Sequence, residues 1–139
     1  MPMISVQVAA EPSKELARAL AERVRDLTAE LLGKDPRVTA VSVDFVPKER
    51  WFIGNESVAD AERAMSAFFV DVRITDGTST KDDKARFIEC TFHALSDLLG
   101  GARAESYVHV DDVRADGYGY GGLTQERRYI ASRPPGNRA

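Results

Sequence analysis

The sequence predicts an α+β fold: a tandem β-α-β repeat forming a four-stranded mixed sheet with two helices on one face. Three observations carry this. Each half of the chain runs from an alternating strand through a capped amphipathic helix and a glycine stop to a second strand. The apolar helix positions Leu20, Val24, Leu27 and Leu31 match Ile88, Phe92, Leu95 and Leu99 at an offset of 68 residues. An aromatic-glycine segment follows the second strand of each half, Arg50 to Asn55 and Gly117 to Gly122.

In the first half, Ile4, Val6 and Val8 alternate with Ser5 and Gln7, the period of a half-buried strand. Ser13 is placed to cap a helix, with Glu15 in its first turn. Leu16, Leu20, Val24, Leu27 and Leu31 share one face, and Gly33 ends the helix. Val41, Val43 and Phe45 form the second strand. In the second half, Phe68, Val70, Val72 and Ile74 alternate along a strand and Gly77 turns the chain. Ser79 with Asp82 has capping-box spacing, Ile88, Phe92, Leu95 and Leu99 form the buried helix face, and Tyr107 to Val113 return as a strand. Such units join parallel strands by right-handed crossovers. Phe68/Phe69 and Tyr107/Val108 put apolar side chains on both sheet faces, so the face without helices is expected to meet another subunit. The aromatic-glycine segments suit tight hairpins that add to a neighbour's sheet edge. One domain is expected over 1–139: a unit at 2–54, a linker at 55–66 with a helical turn in Ala59 to Met65, a unit at 67–130, and a polar non-helical tail at 131–139.

A chain of 139 residues can bury a modest core without disulfides. Its net charge of −3 points to neither nucleic acid nor an anionic membrane. Its single cysteine, Cys90, allows no internal disulfide. The start, Met1-Pro2-Met3-Ile4, lacks the features of a secretory signal, and a cytoplasmic location is expected. His93 and His109 lie on separate elements, so no metal site is expected, and Cys90 is read as a packing residue.

Pro2-Met3-Ile4, Gly33-Lys34-Asp35-Pro36 with Ala40-Val41-Ser42-Val43, Trp51-Phe52-Ile53-Gly54 and Gly117-Tyr118-Gly119-Tyr120-Gly121-Gly122 resemble the tautomerase superfamily. Its members include 4-oxalocrotonate tautomerase, macrophage migration inhibitory factor and cis-3-chloroacrylic acid dehalogenase. The resemblance covers roughly residues 2–130 by organisation. It implies a homotrimer with active sites near subunit interfaces, acting on a small molecule without a cofactor.

It also implies that Pro2, freed as a secondary amine once Met1 is removed, is the general base of a keto–enol proton transfer on a small carboxylated acid. Burial and nearby cations would hold such an amine unprotonated near neutral pH. Lys34 matches a lysine that contacts the substrate carboxylate in the migration inhibitory factor family; otherwise it is a solvated lysine at a helix C-terminus. Tyr118 or Tyr120 can line the pocket and donate a hydroxyl, with Tyr120 preferred, or both pack an interface. Arg73 is a carboxylate partner or, more in keeping with its strand position, a surface ion-pair member. Trp51 and Phe52 are expected in the core rather than the pocket wall. The sequence also departs from the family. Thr75 and Thr78 stand where the dehalogenase has arginines, Ala29 where it has a helical histidine, and its water-activating glutamate has no clear counterpart. Phe68 occupies the second-half position equivalent to Pro2. Dehalogenation or hydration of a haloacrylate is therefore disfavoured, and a catalytically silent trimeric scaffold is the reading from another class.

Overall fold

The computed structural model describes residues 1–61 and 65–133. Its elements are β1 (Met3–Ala9), α1 (Lys14–Leu32), β2 (Ala40–Val46), β3 (Phe52–Ile53), β4 (Glu56–Ser57), β5 (Phe68–Thr75), α2 (Lys81–Leu98), β6 (Tyr107–Val113), β7 (Gly119–Tyr120), β8 (Leu123–Thr124) and α3 (Gln125–Ser132). The sheet order is β2-β1-β5-β6. Pairs β1/β2 and β5/β6 are parallel and β1/β5 is antiparallel, the mixed sheet expected.

Strand alternation sets the layers. Ile4, Val6, Val8, Phe68, Val70, Val72 and Ile74 are buried against α1 and α2, which pack on each other on one face. Burying a side chain of this size contributes about 1.5–3 kcal/mol, so this shared layer holds the two repeats together. Helix α1 starts at Ser13, whose hydroxyl accepts from the Leu16 N–H, and stops at Gly33 in the left-handed region (φ 67°). Both were expected.

Helix α2 differs from expectation by one residue. Its cap is Thr80 rather than Ser79, with Asp83 completing a reciprocal capping box. Its buried positions are Phe87, Thr91, Ala94 and Leu95, while Ile88 is exposed and Phe92 and Leu99 are only partly buried. The repeat offset is accordingly 67 residues from the helix caps onward, through Ala40/Tyr107 and the paired hairpins. At the first strands it is 66, since Met3 pairs with Ala40 as Phe69 pairs with Tyr107. Pro2 and Phe68 therefore remain equivalent.

The helix-free face is apolar only in part. Met3, Phe69 and Tyr107 are exposed there, among Ser5, Gln7, Ser42, Asp44, Asp71, Arg73 and His109. Hairpins β3-β4 and β7-β8 form as expected but pair with no strand of the main sheet. Trp51 is half-buried on Ala9, Val58 and Ala67, whereas Phe52 is 65% exposed and not core. Val58–Asp60 forms a 3₁₀ turn; the rest of the helical turn expected in the linker falls partly outside the described residues, as does most of the tail. Helix α3 was not expected.

Candidate functional site

The antiparallel β1/β5 pairing brings the start of β1 beside the ends of β5 and β6. Pro2 is buried there, its carbonyl accepting from the Ala40 N–H at 3.2 Å. Around it lie the residue following the Gly33 stop, the loop from β5 to α2, and Tyr118, which precedes β7.

Tyr118 is half-buried. Its hydroxyl donates to the Met1 carbonyl at 2.5 Å and lies 3.2 Å from the Arg73 carbonyl. The Met1 carbonyl carbon is bonded to the Pro2 nitrogen, so bond lengths of about 1.33 and 1.23 Å put the Tyr118 oxygen within about 5 Å of that nitrogen. Burial raises the Tyr118 pKa, opposed by hydrogen bonding at Met3 and by the Arg73 cation. The phenol thus stays protonated, and a donor, across neutral pH.

Lys34 donates to the Thr78 hydroxyl at 2.7 Å, and that hydroxyl donates to the Thr75 carbonyl at 2.6 Å. Burial lowers the Lys34 pKa, partly offset by the Asp112 carboxylate. The Met1 α-amine is also held below its ordinary value, by burial first and by the Lys34 cation second. The site is therefore a cationic, partly desolvated corner where an amine loses its proton readily.

Of the residues expected in a site, Pro2, Lys34 and Tyr118 converge, together with the backbone of Arg73. The Arg73 side chain is exposed on the helix-free face, and its guanidinium makes no ion pair among the described residues. Tyr120, the preferred tyrosine, is engaged elsewhere. The Arg128 guanidinium lies 3.8 Å from its ring centroid and donates to its carbonyl at 2.8 Å. Hairpin geometry places Tyr118 at Met1 and Tyr120 against Arg128, and the spacing of the segment does not reveal this.

Three further residues complete this corner: Thr78, which the sequence marked only as standing where the dehalogenase has an arginine, and Lys84 and Asp112. Lys84 and Asp112 form an ion pair, with both side chains about three-quarters buried. The other Asp112 carboxylate oxygen and the Ser79 hydroxyl are buried without a hydrogen-bond partner. Asp112 had a legible signal, because it continues the Val108, Val110 alternation on the helix-facing side of β6, where an aliphatic residue is expected. Cys90 is half-buried against the core and His93 stands edge-on to Phe92. Among the described residues no three His, Cys, Asp or Glu side chains converge as a metal site, and no helix is long and apolar enough to cross a membrane.

A family model described as "Tautomerase enzyme" matches residues 2–61 and again 69–128. Probable tautomerase K2 of Dickeya dadantii (strain 3937) is 31% identical over 67 residues, 48% of this chain and the whole of that protein. Among solved structures, a wild-type fused 4-OT symmetric trimer superposes with a TM-score of 0.77 at 18% identity, covering 94% of this chain and 99% of that one. A malonate semialdehyde decarboxylase inhibited by 3-bromopropiolate gives 0.73 at 18% identity, covering 95% and 99%. At such identities the superpositions speak for the fold. The two family matches coincide with the two β-α-β units, and the chain belongs to the tautomerase enzyme family.

Proposed function

We propose that this protein is a cofactor-independent tautomerase whose general base is the Pro2 amine, exposed by removal of Met1, and whose substrate is a small carboxylated keto or enol acid. The observation that carries the reading is that a phenol donor reaches the Met1 carbonyl, one peptide bond from the Pro2 nitrogen, while the partly desolvated Lys34 cation acts on the adjoining Met1 amine. With Met1 gone, the position of its carbonyl becomes space for substrate. The amine takes the enol O–H proton and returns it to the neighbouring carbon, so one O–H bond is exchanged for one C–H bond with no change of oxidation state. Tyr118 donates to the oxygen on which negative charge develops, and Lys34 pairs with the substrate carboxylate.

We also propose a homotrimer. The sheet ends in two open edges, β2 and β6, and each chain carries two hairpins that its own sheet leaves unpaired. Exposed Phe52, Tyr107 and Leu123 add apolar surface that assembly would cover.

The test is intact-mass spectrometry paired with ketonisation of phenylenolpyruvate and of 2-hydroxymuconate. The expected result is a chain lacking Met1 that turns over at least one of them and loses that activity in Pro2→Ala. Absence of turnover in Met1-free protein favours the silent scaffold, and full activity in Pro2→Ala removes the assigned base.

A further inference from the structure

We infer that Lys84 is a positioning residue: by engaging Asp112 it prevents that carboxylate from capturing Lys34, and so leaves Lys34 as the free cation for a substrate carboxylate. The inference rests on the proposed role of Lys34.

Four observations support it. Asp112 is an acid on the helix-facing side of β6, opposite Ile74, where it breaks the apolar layer made by Val108 and Val110. Lys84 lies near the N-terminus of α2, the positive end of the helix dipole, where a cation is unfavourable and where Asp82 and Asp83 are the residues that suit the helix. Helix stability therefore does not explain Lys84. The internal repeat supplies a control. At the offset of 67 residues, Lys84 corresponds to Ala17, Asp112 to Phe45 and Lys34 to Gly101, so the same fold position lacks this charge network at the end where Phe68 replaces Pro2. Finally, Lys34 donates to the neutral Thr78 hydroxyl although Asp112 is near enough to favour its charged form. Asp112 gives one oxygen to Lys84 and holds the other buried and unpartnered.

Within the Lys34, Lys84 and Asp112 trio, two cations and one anion leave a net single positive charge, carried by Lys34. Without Lys84, the Asp112 carboxylate is drawn to Lys34, cancels that charge and repels an incoming carboxylate.

The experiment is calorimetric titration of Met1-free protein with phenylpyruvate, used as a carboxylate probe, at neutral pH and low salt. Lys34→Met should weaken binding. Lys84→Met should weaken it roughly tenfold through the Coulombic competition. The double variant Lys84→Met/Asp112→Asn should return to within about twofold of wild type, the scatter of independent effects. Asp112→Asn alone should bind no more weakly than wild type, and this arm decides the matter if Lys84→Met fails to fold. Wild-type protein that does not bind the probe, or Lys34→Met that binds it like wild type, removes the carboxylate reading of Lys34. Weakening in Lys34→Met with none in Lys84→Met, or a double variant as weak as Lys84→Met, or loss of binding in Asp112→Asn, overturns the role of Lys84 while leaving Lys34 in place.

Discussion

Replacing Tyr118 by phenylalanine removes one oxygen from the site and leaves the ring. That oxygen is 2.5 Å from the Met1 carbonyl and hence within about 5 Å of the Pro2 nitrogen. A hydrogen bond to a charged group contributes about 1.5–3 kcal/mol, and the developing enolate is such a group. The half-buried position of Tyr118 argues for the lower part of that range, because water replaces part of what the phenol supplied. The expected fall in kcat is thus roughly tenfold to thirtyfold. KM should change little, since the ground-state substrate carries less charge at that oxygen. The assay is ketonisation of phenylenolpyruvate followed by absorbance, on protein shown by mass to lack Met1 and by circular dichroism to be folded. A kcat equal to wild type would refute the donor role. A rise in KM alone would make Tyr118 a substrate contact rather than a stabiliser of the transition state.

Three further outcomes are expected. In Met1-free protein the Pro2 amine enters the surroundings where burial and the Lys34 cation lower the pKa of the Met1 amine, so activity should fall as pH drops through the Pro2 value; Lys34→Met removes a depressing cation, and the acidic limb of the kcat/KM profile should move to higher pH. Thr80→Ala removes half of the capping box and should lower stability by about 1 kcal/mol in urea unfolding, whereas Ser79→Ala should not, since Ser79 is not the cap. Gly119→Ala should disrupt the hairpin and lower activity in the same ketonisation assay, because a Cβ at that position would sit 1.9 Å from the Leu123 carbonyl oxygen. The neighbouring Gly117→Ala meets open space and should retain activity.

The strands were legible because their alternation is strict and each is clamped on one face. Tyr107–Val113 agrees with its expected bounds. The start of α2 was ambiguous for a definite reason. Ser79 with Asp82 and Thr80 with Asp83 are overlapping capping boxes of equal quality, and local chemistry cannot choose between them. Packing against α1 decides, turning Phe87 and Thr91 inward and Ile88 outward, a rotation of one residue about the helix axis. In the candidate site, the resemblance singled out Pro2 and Lys34, and the structure brings them to the same end of the sheet. The different placement of Tyr118 and Tyr120 was not legible, because both sit between glycines and only the folded hairpin sets one against Met1 and the other against Arg128. Lys84 and Asp112 escaped notice for another reason: they are 28 residues apart and meet only when α2 lies across β6.

The equivalence of Pro2 and Phe68 carries a consequence for stoichiometry. At Phe68 the chain continues in both directions, and its amide N–H is tied to the Ser106 hydroxyl at 3.2 Å inside the core. The second half thus keeps the architecture of the first, while its position equivalent to Pro2 holds a peptide bond and an aromatic ring. In Met1-free protein a reagent selective for the secondary amine should therefore saturate at one equivalent per chain, although each chain contains two copies of the unit.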